Sequence, residues 1–410
     1  MPLIEEILHL IKKLITRTLL IPLCAIPVRK NRVLLNNGLS HNYSDNPKAV
    51  AEFLRRNAPG TIELVYAVDD AEKYQSLRDA GITPVTFHSL KYFYFAVTAA
   101  VYLTNNGGYS YLPPRKKQLV IDTWHGGGAY KRCGIWGYRN VQVGRAELKL
   151  SAQNVNIFLS TSTRSSEILS QSFLLPRSIF WEIGMPRNDS LIHQDAAAGR
   201  RTREELGISD GERLVLFAPT FRRPGGRCTG APVAIPYGID HTLVCQALQR
   251  RFSGTWRFAF RFHPGIQKRG NLPSPEILDV SDYGDIQRLL QASDVLITDF
   301  SSSMWDFMLT GRPCFLFMPD MESCMRETGF FLPPSEWPFS KAAGNAELEQ
   351  NILTFDEKKY AKACAHHYRD LGGCETGRAA QLVGERICRH IDTLAEEQRR
   401  KRQENGGLWL

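Results

Sequence analysis

The chain has 410 residues, more than one hydrophobic core usually carries, so two domains are expected. A 43% hydrophobic content excludes a mainly disordered chain, and a formal charge of +9 favours an anionic partner. No zinc-finger spacing, central arginine block or RNA-recognition signature is present, so a phosphorylated substrate or a membrane surface is favoured over nucleic acid.

The first thirty residues stand apart. Leu3, Ile4, Ile7, Leu8, Ile11, Leu14 and Ile15 recur at helical spacing with Glu5, Glu6, Lys12, Lys13 and Arg17 between them. The apolar run that follows, Leu19 to Val28, is broken by Pro22 and Pro27 and is too short to span a bilayer. Glu5 and Glu6 sit where a signal peptide would be basic. The spacing therefore predicts an amphipathic helix over 1–30, lying on the cytoplasmic face of the membrane or packed on its own domain.

From residue 31 short apolar runs alternate with helical stretches. Segments 31–37, 61–68, 83–89, 99–106, 118–126, 156–162 and 178–184 each resemble a strand followed by a polar or glycine-containing turn. After a charged joint near 191–211, the rhythm resumes at 213–221, 256–264, 276–282, 294–301 and 314–320. Strands so continuous in apolar residues suit parallel sheets covered on both faces. The expected architecture is α/β: two Rossmann-like, doubly wound domains facing across a cleft, over 31–195 and 205–385, with a basic helical tail over 386–410. Nine scattered cysteines without a C-x-x-C pair indicate reduced thiols in the cytoplasm.

Ligands of open α/β sheets bind outside the carboxyl ends of the strands, and four strand ends here carry reactive residues. After 118–124 come His125, Gly126, Gly127 and Gly128, then Lys131 and Arg132. The glycines let backbone N–H groups approach an anion, and a histidine there can accept a proton near neutral pH. The segment 256–260 leads to Arg261 and His263, a guanidinium and an imidazole suited to offset phosphate charge. The segment 294–298 leads to Asp299, Ser301 and Ser302 at a helix start, where unpaired N–H groups and hydroxyls can hold an anion. A serine nucleophile is disfavoured because the G-x-S-x-G elbow is missing. The segment 214–219 leads to Thr220, Arg222 and Arg223. No D-x-D string, H-E-x-x-H or ligand-spaced Cys/His group occurs, so charge on a diphosphate would fall to Arg, Lys and helix termini, with no metal or other cofactor required.

Taken in order, these strings resemble the CDP-glycerol glycerophosphotransferase family of teichoic-acid and related capsule polymer synthesis. Trp124-His125-Gly126 matches its W-H-G-T motif, and Gly184 to Asp189 its G-x-P-R-N-D motif. Ala218 to Arg222, Arg261 to Pro264 and Thr298 to Ser302 match A-P-T-[WF]-R, R-x-H-P and T-D-[YF]-S-S. The resemblance spans about residues 90–330. It implies a GT-B-type fold, a CDP-linked polyol phosphate donor, a lipid-linked or polymer acceptor and peripheral attachment to the inner membrane face. It also puts the family's two motif histidines on His125 and His263, and adds Arg187 and Asn188 to the donor-binding set. One departure is local: Gly127-Gly128 stands where the family usually has Thr-Pro.

The expected reaction is attack of an acceptor hydroxyl, deprotonated by His125 or His263, on the β-phosphorus of CDP-glycerol with release of CMP. Asp122 or Asp299 could orient an imidazole. Three alternatives remain open: a CDP-ribitol donor, a nucleotide-sugar glycosyltransferase of the same fold, and a non-catalytic membrane-surface module.

Overall fold

The computed structural model describes residues 3–107, 109–128, 130–220, 238–263, 272 and 274–406. They form two compact units. The first comprises 1–125, 132–189 and 374–410, and the second 126–131 and 190–373.

The first unit is built on a seven-stranded sheet of β1 (Arg29–Asn36), β2 (Glu63–Val68), β3 (Thr83–Thr86), β4 (Ala99–Thr104), β5 (Leu119–Asp122), β6 (Ile157–Ser160) and β7 (Phe180–Glu182). The strand order is β3-β2-β1-β4-β5-β6-β7, and every pairing is parallel. Val33, Leu35, Val101, Leu103 and Ile121 are fully buried, as expected for strands covered on both faces. The second unit repeats the plan with β8 (Glu212–Phe217), β9 (Thr255–Phe260), β10 (Leu278–Asp279), β11 (Val295–Thr298), β12 (Cys314–Phe317) and β13 (Ser340–Ala342). Its order is β10-β9-β8-β11-β12-β13, again all parallel. In each sheet the winding reverses direction at one place, beside β1 and β4 in the first and β8 and β11 in the second. A doubly wound sheet binds its ligands there.

The expected boundary at 385 differs from the observed division. The chain re-enters the first unit at Cys374, and the helix Ala379–Gly406 lies wholly within it. Ala379, Val383, Ile387 and Leu394 share the hydrophobic core of β1, β4 and β5. Asp189 caps the helix by accepting from the backbone N–H groups of Ala379 at 3.0 Å and Ala380 at 2.7 Å. The helix Ala196–Glu205, expected as a joint, belongs to the second unit: Arg203 donates to the Ala292 and Glu212 carbonyls and pairs with Asp294 at 2.6 Å.

The N-terminal helix is Leu3–Leu20. Its polar side faces the protein. Glu6 accepts from the N–H groups of Arg139 at 2.9 Å and Asn140 at 3.1 Å, which hold its carboxyl below the usual range. Lys13 pairs with Glu147, and Arg17 donates to the Ser110 carbonyl at 3.0 Å. The apolar stripe faces outward, with Ile4 70%, Leu8 58% and Leu19 71% exposed. No described helix is long and apolar enough to cross a membrane.

Because the C-terminal helix completes the first core, Ile387→Ala should cost roughly 2–5 kcal/mol. Hydrogen exchange at β1 amides checks this, and protection equal to wild type would contradict it.

Candidate active site

In the first unit, the loops after β1 and β4 are tied together by asparagines. Asn105 Nδ2 donates to Asn37 Oδ1 at 3.0 Å, and Asn105 Oδ1 accepts from Gly38 N at 2.9 Å. Asn106 Nδ2 returns to the Gly38 carbonyl at 3.0 Å. Asn37 Nδ2 in turn reaches Ser40 and Ser44 hydroxyls, both at 2.9 Å. These loops are the two on which the winding reverses. The backbone carbonyl of Asn105 is thereby held still, and it lies 2.9 Å from Nδ1 of His125.

That contact sets the chemistry of His125. A carbonyl oxygen can only accept, so Nδ1 carries the hydrogen and neutral His125 keeps its lone pair on Nε2. Burial lowers its pKa, against the Asn105 carbonyl and Asp45, which raise it, while Arg187 adds to the lowering. The ring is therefore a neutral base near pH 7. Trp124, just before it, has φ of 54°, a left-handed conformation that costs a non-glycine residue about 1–3 kcal/mol. It is held from both ends: its N–H donates to Asp122 Oδ1 at 2.8 Å, and its carbonyl accepts from Asn46 Nδ2 at 2.9 Å.

Asp122 was a candidate to orient an imidazole. It binds the backbone of Trp124 and the Tyr109 hydroxyl, the latter at 3.0 Å, while the partner of His125 is the Asn105 carbonyl. Asp122 thus orients the histidine through the chain. Burial pushes its carboxyl up to about 7, against the hydrogen bonds from Trp124, Tyr109 and Gly107.

The structure gives Arg187 and Asn188 supporting places. Arg187 is buried, pairs with Asp45 at 3.1 Å, and its N–H donates to Asn46 Oδ1 at 3.1 Å. Asn188 Nδ2 donates to Glu375 Oε1 at 2.8 Å, and Glu375 Oε2 accepts from Met185 N at 3.0 Å. Gly184 has φ of +85°, and a Cβ there would lie 2.2 Å from Glu375 Oε2. The segment 184–189 therefore fastens the β7 loop to the returning C-terminal segment.

Residues 126–131 belong to the second unit. A Cβ on Gly127 would lie 2.9 Å from Asp306 Oδ1 and 3.0 Å from Trp305 Cβ. Asp306 is buried and accepts from Gln287 Nε2 at 2.8 Å, so it cannot readily give way. That close approach accounts for glycine at 127 where the family usually has threonine. Tyr130 anchors the loop, its ring stacked 3.7 Å from Trp305 at 7° and its hydroxyl 2.9 Å from His367 Nε2. Half-buried Gly126 begins the loop, and Lys131 ends it in a backbone bridge to Phe330.

At the winding reversal of this sheet, Thr220 donates to Asp299 Oδ1 through both its N–H, at 2.8 Å, and its hydroxyl. Thr298 Oγ1 donates to the Ala218 carbonyl at 2.7 Å. Asp299 therefore holds the β8 loop. Arg261 is buried and donates from Nη1 to the Tyr283 carbonyl at 2.6 Å, which gives that arm of the guanidinium a scaffold role. His263 stands half-buried just past β9. Ser301 Oγ accepts from the Ser303 hydroxyl at 2.9 Å, while the Ser302 side chain makes no cap for the short helix Ser303–Met308. Arg222 and Arg223 lie outside the described residues. Among the described residues, no three His, Cys, Asp or Glu side chains are grouped to hold a metal ion.

Sequence reasoning missed Asn105, Asn46, Asp45 and Glu375. The first three do follow strands or open a helix, which is a signal, but their partners are remote in sequence.

A family model described as CDP-glycerol:poly(glycerophosphate) glycerophosphotransferase matches residues 20–389. A teichoic acid glycerol-phosphate transferase of Staphylococcus aureus is 27% identical over 379 residues, covering 88% of this chain and 93% of its own. A teichoic acid ribitol-phosphate primase of Bacillus spizizenii is 25% identical over 319 residues, 75% of this chain and 78% of its own. The structure of the wall teichoic acid polymerase TagF superposes with a TM-score of 0.80 at 23% identity, over 95% of this chain and 98% of that one. The fold is thus of GT-B type.

The two titrations predict the acid side of the pH profile. Asp122 gains its proton as pH falls through about 7, and His125 gains its own below the ordinary histidine value of about 6.5. The acid limb of kcat/KM should therefore carry two steps, and Asp122→Asn should leave only the lower one. A single limb unchanged by that substitution would contradict the assignment.

Proposed function

The chain belongs to the CDP-glycerol:poly(glycerophosphate) glycerophosphotransferase family, and from that premise we propose that it transfers glycerol phosphate from CDP-glycerol to an acceptor hydroxyl in teichoic-acid-like polymer synthesis. The observation that carries the reading is the His125 tautomer: Nδ1 is engaged by the Asn105 carbonyl, so Nε2 is left as the base. Nε2 takes the proton of the acceptor hydroxyl as its oxygen attacks the β-phosphorus. The new P–O bond makes a phosphodiester, and the bond to the bridging oxygen breaks to release CMP. A fixed neutral imidazole contributes about 10²–10⁴ to such a step.

His263, Lys131, Ser301, Ser302 and the N–H groups of Gly126 and Gly127 are assigned to the diphosphate, together with Arg222. Thr220 shapes the same strand end from its place on Asp299. In this assignment side chains and backbone carry the phosphate charge, and no metal or cofactor is invoked. Arg187, Asn188, Asp299 and Arg261 hold the loops that present these groups.

The acceptor is lipid-linked or polymeric, and the protein works on the cytoplasmic face of the membrane as a peripheral enzyme. The inverted N-terminal helix supports this. Its polar side is spent on the first unit, and its isoleucines and leucines are left to a bilayer.

Incubation with CDP-glycerol and, in parallel, CDP-ribitol, together with a lipid-linked acceptor, should release CMP from the glycerol donor. His125→Ala should lower that release about 10²–10⁴-fold. Release at the wild-type rate by the variant would overturn the base assignment. Separately, Ile4→Asp with Leu8→Asp should abolish cosedimentation with anionic phospholipid vesicles. Undiminished binding would overturn the membrane role of the helix.

A further inference from the structure

The N-terminal helix does more than carry an apolar stripe outward. Arg17, in its last turn, is half-buried and donates from Nη1 to the Ser110 carbonyl at 3.0 Å. The same Nη1 reaches the Leu150 carbonyl at 3.4 Å, and Nη2 donates to the Gln153 side chain. One guanidinium therefore joins the helix Leu3–Leu20 to the buried turn Tyr109–Tyr111 and to the end of the helix Val141–Ala152. Its donors are fixed in one plane, so it can hold separate acceptors in a set geometry, which a lysine ammonium does less well.

The turn that Arg17 grips carries Tyr109. Its ring is buried, and its hydroxyl donates to Asp122 Oδ2 at 3.0 Å. Asp122 Oδ1 accepts from the Trp124 N–H at 2.8 Å, and Trp124 is the left-handed residue next to His125. Three hydrogen bonds and the short stretches of chain between them thus run from the N-terminal helix to the peptide that precedes the base. Every residue on that path belongs to the first unit. The rest of the turn is fixed by Asn154, whose Nδ2 donates to the Tyr109 and Leu112 carbonyls at 3.2 and 3.1 Å, and by Tyr111, whose hydroxyl lies 2.7 Å from that of Tyr92.

Burial and the neighbouring Asp122 push the Tyr109 hydroxyl well above the ordinary tyrosine range, so it is a donor near pH 7. The titratable groups that face Asp122 are Tyr109 from the turn and Tyr102 from β4, both uncharged. Burial opposes the charge of Asp122, and the hydrogen bonds from Trp124, Tyr109 and Gly107 favour it. Removing one of those donors changes both the charge and the hold on the Trp124 peptide.

We infer that the N-terminal helix is part of the support of the catalytic base: Arg17 seats the turn that carries Tyr109, and Tyr109 holds the Asp122 carboxyl that fixes the peptide before His125. Arg17 and Tyr109 are positioning residues. Their role in catalysis rests on the glycerol-phosphate transfer reading.

Carbon-13 NMR of the full chain labelled at aspartate carboxyls reads the network without the reaction, with the Asp122 signal assigned by its loss in Asp122→Asn. Tyr109→Phe should raise the pH at which Asp122 gains its proton by about one unit, because a stabilising donor is gone. Arg17→Ala should move it the same way by less, and Arg17→Lys should recover part of the difference. Arg17→Ala added to Tyr109→Phe should shift it no further. Ile4→Asp with Leu8→Asp, confined to the outward stripe, should leave it where it is. In CMP release, Tyr109→Phe should lower kcat roughly tenfold with little change in KM for CDP-glycerol. An unmoved Asp122 in either single variant, an additive shift in the double variant, or an equal shift in the Ile4 and Leu8 variant would overturn the network. The described shifts in a protein that releases no CMP would leave the network standing and remove the transfer reading.

Discussion

The hydrogen bond from His125 Nδ1 to the Asn105 carbonyl is the interaction on which the candidate site turns. It does two things at once. It selects the tautomer that leaves Nε2 without a hydrogen, and it makes the ring depend on a loop whose position is set by Asn37 and Gly38. The strained peptide at Trp124 serves the same end, since Asp122 and Asn46 can hold it only because β1, β4 and β5 run side by side. The second unit uses a parallel device where its own winding reverses, with Asp299 at the end of β11 receiving Thr220 from the end of β8. In both sheets a side chain from one strand end grips the loop of the strand that winds the other way.

Several of the motif residues engage protein groups. Arg187, Asn188 and Arg261 carry charges or amides that a phosphate would attract, yet the contacts described above, like those of the Asp299 carboxylate, are to protein side chains and backbone. Buried and hydrogen-bonded, they fasten the strand-end loops to the rest of their units. Gly127 works by having no side chain, because the space a Cβ would fill is occupied by Asp306 and Trp305.

Much of the architecture is legible in the amino-acid sequence. Twelve apolar runs read from the chain correspond to β1 through β12, because strands buried on both faces leave continuous apolar signals. The strand Ser340–Ala342 gave no such signal, being a short polar edge. The C-terminal helix was legible as a helix, but periodicity shows only that one side is apolar, and nothing in it names the sheet that side will cover. The same limit applies to the site. His125 could be placed at a strand end from its own segment, whereas its partner is a backbone carbonyl twenty residues away, and a carbonyl leaves no mark in a sequence. The apolar stripe of the N-terminal helix was read correctly, while its inversion became apparent only from Glu6, Lys13 and Arg17 binding the first unit.

The central claim is that His125 stands ready as a neutral base with its proton on Nδ1, and nitrogen-15 NMR of the histidine-labelled protein at pH 7 reads this directly. The account predicts a pyrrole-type shift for Nδ1 and a pyridine-type shift for Nε2 of His125, assigned by loss of the signals in His125→Asn. The reversed pair of shifts, or two pyrrole-type nitrogens from a charged ring, would contradict it.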